Sequence, residues 1–193
     1  MRVCVFCGSN SGSRREYASV ASELGRAIAQ RGWSLVYGGG NVGLMGVCAD
    51  AVLAAGGEVI GVIPDSLKAM EVAHTGLTQL HVVRTMHERK AMMADLSDGF
   101  AALPGGFGTL DELFEILTWA QLGIHAKPVV VLNVAGFFEP LMTMLDHQVR
   151  EGFLRAKHRP LLRTSGTVEE LLDLLAVPAT PPAQGKWLNR EER

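Results

Sequence analysis

Short apolar runs alternate with longer mixed stretches along nearly the whole chain. VCVFCG (3–8), SLVYGG (34–39), EVIGVIP (58–64), QLHVV (79–83), GFAALPG (99–105) and KPVVVLN (127–133) read as strands. Most of them are continuously hydrophobic, as expected of parallel strands covered on both faces. Between them the pattern predicts helices at about 14–31, 43–55, 86–97, 109–122 and 136–150. A short element near 160–164 and a helix near 167–175 follow. Strand and helix in alternation imply an α/β fold, a doubly wound parallel sheet flanked by helices on both faces. Residues 1–176 are expected to form one domain. The proline-rich and then polar 177–193 is expected to be a flexible tail.

In such sheets ligands bind outside the carboxyl ends of the strands. Three glycine-bearing turns fall there: CGSNSGS after the first strand, YGGGNVGLMG after the second and LPGGFGT after the fifth. Glycine lets backbone N–H groups face a ligand, and a helix starting at such a turn adds unpaired N–H groups and a positive dipole end. Gly38, Gly39, Gly40 and Gly43 offer this at the second turn. Gly105, Gly106, Gly108 and Thr109 offer it at the fifth, and Gly8 with Ser9 adds a hydroxyl from the first. The alternative is structural: Gly43 and Gly46 would let their helix pack close to the sheet. No G-x-x-x-x-G-K-[ST] is present, and GGGNVGLMG only loosely echoes G-x-G-x-x-G.

Composition narrows the chemistry. The chain has 193 residues, 48% hydrophobic and 20% charged, with a net charge of −2. That leaves no basic footprint for nucleic acid. No apolar stretch reaches the ~18 residues of a membrane span, and the N-terminus lacks a signal peptide's apolar core. A cytoplasmic protein is expected. Cys4 and Cys7 form a C-x-x-C, but residues three apart in a strand face opposite sides, so buried structural thiols are the preferred reading over a redox pair.

Acid follows the third glycine turn. TLDE (109–112) matches a capping box, with Thr109 at the N-cap and Glu112 at N3. A carboxylate near a helix start is also held as the anion, which suits a base or a stabiliser of positive charge. Asp111 is expected to be solvated, whereas Glu115 lies one turn beyond Glu112 on the same side. Arg89 and Lys90, in the first turns of the helix after the fourth strand, are cations where the dipole disfavours them. A salt bridge or a phosphate would compensate. His87 reads as solvated. No metal-ligand cluster is apparent.

GGGNVGLMG, MHERKAMM, LPGGFGTLDELFE and TWAQLGIHAKPVVVLN together resemble the Lonely Guy (LOG) family of cytokinin-riboside 5'-monophosphate phosphoribohydrolases, in one register from CVFCGS to about residue 175. Pro104 through Glu112 meet its P-G-G-x-G-T-x-x-E signature in full. Members have often been labelled lysine decarboxylases, an activity the resemblance does not imply. What it does imply is a Rossmann-like fold, a homodimer and hydrolysis of the N-glycosidic bond of adenine-type nucleoside 5'-monophosphates; with no metal-ligand cluster in the chain, metal-independent hydrolysis without a cofactor is expected. On this chain the catalytic pair matches Arg89 and Glu112. Substrate contacts match Lys90, the turn Gly105, Gly106, Phe107, Gly108 and Thr109, then Glu115, Thr118 and Glu71, with Met45 beside the second glycine turn. Around Glu71 the chain reads LKAMEVAHTG, where many relatives carry Pro-Arg before the Glu. The proton donor to the departing base is open between water and Glu115, the latter if burial raises its pKa. The alternative is a non-catalytic nucleotide or cofactor carrier on the same fold.

Overall fold

The computed structural model describes residues 1–68 and 73–179. Seven strands form one parallel sheet: β1 Arg2–Phe6, β2 Ser34–Tyr37, β3 Glu58–Pro64, β4 Gln79–Val83, β5 Gly99–Ala102, β6 Val129–Leu132 and β7 Leu162–Ser165. Their order is β4-β3-β2-β1-β5-β6-β7. The chain therefore winds outward one way from β1 and returns to β1's other side with β5. Their pairing, Val3 opposite Gly99 through Phe6 opposite Ala102, places the topological switch between these two strands.

Helices cover both faces, as the continuous apolar strands require. On one face lie α1 (Arg15–Gln30), α2 (Gly43–Ala54) and α7 (Val168–Ala176), which bury Leu24, Ile28, Leu44, Val52 and Leu171. On the other lie α4 (Met86–Leu96), α5 (Phe107–Leu122) and α6 (Glu139–Arg150), which bury Met93, Leu113, Ile116 and Leu145. Cys4 belongs to the second layer and Cys7 to the first, so the two thiols sit on opposite sides of the sheet. All three cysteines are free and buried.

Where the structure departs from the pattern, the reason is local. β1 and β5 stop two or three residues before their predicted ends, which leaves the glycine turns wholly outside the sheet. α3, a single turn at Asp65–Lys68, is too short to show a period. α6 begins at Glu139 because Val134–Gly136 makes a tight 3₁₀ turn in which Ala135 and Gly136 both take left-handed φ, 51° and 76°. Past α7, Arg163 of β7 donates to the carbonyls of Val177 and Pro178, so the expected tail is tied down at its first two residues. Residues 180–193 of that tail lie outside the described chain.

Candidate active site

A cavity of about 350 Å³ opens at the switch between β1 and β5. Its walls are the turns that leave these two strands. Gly8 N–H donates to Pro104 O across the switch (3.1 Å), and Leu44 N–H donates to Gly8 O (3.0 Å), stitching all three glycine turns together. Gly8, Ser9 and Met45 line the cavity with Gly105, Gly106, Phe107, Gly108 and Thr109. Arg89 and Glu112 also line it.

Arg89 reaches this site from α4 through the sheet's carboxyl edge. Its Nε donates to Val62 O and its Nη2 to Gly38 O, both at 3.2 Å. A Cβ on Gly38 would collide with that guanidinium, so the glycine is the seat that admits it. Glu112 comes from α5, its Oε1 4.0 Å from Arg89 Nη2, with the two side chains only 6% and 12% exposed. The salt bridge expected to offset a cation near a helix start is thus present.

The capping box does not form. α5 begins at Phe107 with Gly106 as its N-cap, and no side chain caps it. Thr109 is the third helical residue and Glu112 lies in the second turn, so the Arg89 guanidinium, not the helix end, compensates that carboxylate. True Thr caps occur elsewhere: Thr85 accepts from Glu88 N–H and Thr167 from Glu170 N–H. The first turn of α5 therefore has no capping side chain for its N–H groups, and Gly106, Phe107, Gly108 and Thr109 of that turn line the cavity. An added Cβ on Gly106 or Gly108 meets nothing within 4 Å, so both glycines border open space.

The second-turn glycines are not part of this lining. Gly39 O accepts from His74 N–H, and Gly40 bridges to Ala73. Gly43, at φ 58°, presses against the Ser9–Asn10 backbone, where a Cβ has no room. These residues shape the cleft from behind. Lys90 and Glu115 also stand outside the lining: Lys90 Nζ binds Asp111 Oδ2 at 3.0 Å and Glu115 Oε2 at 3.1 Å. Asp111 is solvated as expected, its side chain 61% exposed, and it pairs with Lys90 from the surface. Burial pulls the Lys90 ammonium down, but these two carboxylates outweigh it and lift it above its ordinary range. Thr118 donates to Phe114 O and borders a separate cavity of about 110 Å³ between α5 and α6. Glu71 lies outside the described residues.

Tyr17 and Phe137 complete the cavity wall, in edge-to-face contact at 6.0 Å. Sequence reasoning missed both, because each falls in a stretch that reads as ordinary core-facing helix. Among the described residues no group of His, Cys, Asp and Glu is placed to hold a metal ion. No helix there is long and apolar enough to cross a membrane.

Known proteins share this fold and much of this sequence. The chain superimposes on a molybdenum cofactor binding protein from Rippkaea orientalis with a TM-score of 0.68, covering 91% of this chain and 94% of that one at 23% identity, a likeness of fold. It is 54% identical over 153 residues to the cytokinin riboside 5'-monophosphate phosphoribohydrolase of Rhodococcoides fascians, covering 79% of this chain and 77% of that protein. It is 50% identical over 171 residues to the protein named LOG in Oryza sativa subsp. japonica, covering 89% and 71%. A family model described as "Possible lysine decarboxylase" matches residues 45–175. The switch-point cleft, the glycine-headed helix and these relatives converge: the chain belongs to the Lonely Guy (LOG) family.

Proposed function

We infer that the protein hydrolyses the N-glycosidic bond of an adenine-type nucleoside 5'-monophosphate, giving the free base and ribose 5-phosphate. The observation that carries this reading is the Arg89–Glu112 pair at 4.0 Å in a cleft headed by the open first turn of α5. The names of the relatives point the same way.

In this mechanism the α5 N-terminus takes the 5'-phosphate, as helix starts do for anions. Gly106 and Gly108 leave the approach clear, and Ser9 and Thr109 supply hydroxyls. The anchored phosphate sets the ribose against Glu112. As the C1'–N bond lengthens, positive charge develops on the sugar and the carboxylate stabilises it. Glu112 takes a proton from the attacking water, whose oxygen bonds to C1'. The electron pair of the broken bond stays on the base nitrogen, which is protonated by solvent. Glu115 is unsuited to that task, since Lys90 engages it outside the cavity. Arg89 does not deprotonate in proteins, so it orients and neutralises. No metal or organic cofactor is required.

The same reading takes residues 1–176 as one domain acting as a cytoplasmic homodimer. The exposed Phe114, Met144 and Phe153 on and beside α5 and α6 support a second copy covering that face. Three unpaired thiols suit a reducing compartment. The functional test is release of free base from AMP and from isopentenyladenosine monophosphate, wild type beside Glu112→Gln. Release by the wild type alone supports the hydrolase. Binding of both nucleotides with no release would favour a carrier.

A further inference from the structure

The turn that seats Arg89 has no side chains of its own to hold it. The ladder between β2 and β3 ends at Tyr37 opposite Gly61, and Gly38, Gly39 and Gly40 run on beyond it. Successive glycines carry the most backbone freedom a chain can have, and Gly39 takes a left-handed φ of 79°. Yet Gly38 O must stay aimed at Arg89 Nη2. That aim has to be fixed from outside the turn.

The next carbonyl shows how. Gly39 O accepts from His74 N–H at 3.0 Å, and Gly40 bridges to Ala73 beside it. His74 belongs to the connection between α3 and β4. Within the stretch 73–78 it is the one buried residue, 8% exposed. Its imidazole is engaged at both nitrogens. Gly76 N–H donates to Nδ1 at 3.0 Å, so Nδ1 carries no hydrogen. Nε2 therefore holds it and donates to Asp50 Oδ1 of α2 at 2.9 Å. The first bond shapes the main chain around residue 74. The second ties that main chain to the helix that leaves the glycine turn at Gly43.

We propose that His74 is a positioning residue for Arg89, bracing the Gly38–Gly40 turn against α2 so that Gly38 O keeps the guanidinium directed at Glu112. The inference rests on the phosphoribohydrolase reading, because the group it aims is half of the reacting pair. His74 does not line the catalytic cavity and acts through the turn. Misplacing a catalytic group by about 1 Å costs ~10²-fold in rate. Loosening Gly38 O while Val62 O still holds Arg89 Nε costs less than that.

The experiment compares wild type, His74→Ala, Asp50→Ala and Gly38→Ala, with each of the first two changes also placed on the Gly38→Ala background. It reads kcat and KM on AMP, inhibition by ribose 5-phosphate, the unfolding midpoint and, by NMR, hydrogen exchange of Arg89 Nε–H. A brace predicts that His74→Ala lowers kcat/KM about tenfold, with faster Nε–H exchange and ribose 5-phosphate inhibition unchanged. Asp50→Ala removes an exposed side chain and moves both readings the same way by a smaller factor. On the Gly38→Ala background, where the seat is already lost, neither change lowers kcat/KM much further. Two results overturn the proposal. One is an unchanged kcat/KM in His74→Ala, whatever its unfolding midpoint. The other is a loss repeated in full on the Gly38→Ala background, which makes the histidine a general support of the fold. If His74→Ala does not fold, Asp50→Ala decides by the same readings. Should the wild type release no base, the functional reading fails by itself. The brace is then decided by exchange of Arg89 Nε–H, where faster exchange in His74→Ala sustains it and unchanged exchange overturns it.

Discussion

Arg89 Nη2 and Glu112 Oε1 stand 4.0 Å apart, although one side chain is held by carbonyls of β3 and the β2 turn and the other rides a helix that follows β5. The two meet only because the sheet reverses its order between β1 and β5. The separation is longer than a tight ion pair and leaves the carboxylate facing the cavity. A carboxylate so placed can take a proton from water as well as balance the charge of a forming oxocarbenium ion.

Glu112→Gln keeps the shape of the side chain and removes its charge and basicity. Its kcat is expected to fall about 10²–10⁴-fold, the usual contribution of a positioned general base, with KM on AMP changed by only a few-fold. Steady-state base release measures both. A near wild-type kcat would remove Glu112 from the chemistry.

Gly38→Ala tests the seat of Arg89. The new Cβ meets the far end of the arginine side chain, which can swing away, so the fold is expected to survive. The guanidinium then loses its hydrogen bond to the residue 38 carbonyl and its aim at Glu112. The expected result is a ~10²-fold drop in kcat/KM, the scale of a misplaced catalytic group, with a native circular dichroism spectrum. Full activity would show that Arg89 tolerates another path into the site.

Much of this was legible in the chain, and what was not has identifiable causes. The parallel sheet followed from continuous apolar runs such as KPVVVLN, and the cleft from glycine turns at strand ends. TLDE misled because a capping box is a local pattern, whereas α5 starts two residues earlier, at Phe107, where Gly106 serves as N-cap. GGGNVG promised a phosphate cradle, but three-dimensional packing turns it against the first loop and the segment at Ala73 and His74. The strand argument separated Cys4 from Cys7 correctly because side-chain alternation is strictly local. Lys90 and Thr118 could not be located from spacing, since their surroundings come from partners 21 residues away and from α6.

The buried thiols predict alkaline sensitivity. Burial pushes Cys48 up to about 12 and raises Cys4 and Cys7 well above their ordinary range. An unfolded thiol titrates at about 8.5. Above that pH the unfolded chain has shed protons that the folded one keeps, so stability is complete below about 8.5 and declines as pH rises toward the folded values. Unfolding midpoints at pH 8, 9 and 10 should fall steadily, and Cys48→Ala should flatten the slope. A midpoint constant through pH 10 would mean that the thiols are not shielded.

Gly108→Ala separates stability from binding at one atom. Gly108 is the second residue of α5, and its added Cβ meets no protein atom within 4 Å. Replacing a helical glycine with alanine stabilises by about 0.5–1 kcal/mol, which for a chain of this size raises the unfolding midpoint by about 1–4 °C. The same methyl group occupies space that an incoming phosphate needs in order to reach the first-turn N–H groups. Loss of one charge-assisted hydrogen bond, about 1.5–3 kcal/mol, weakens binding by about 10–100-fold. The variant should therefore melt higher while KM on AMP and inhibition by ribose 5-phosphate both worsen, with kcat at saturation less affected. Calorimetry and initial rates on the same preparation read both effects. A higher midpoint with unchanged KM would place the phosphate elsewhere in the cleft, and the glycines of this turn would then serve the helix alone.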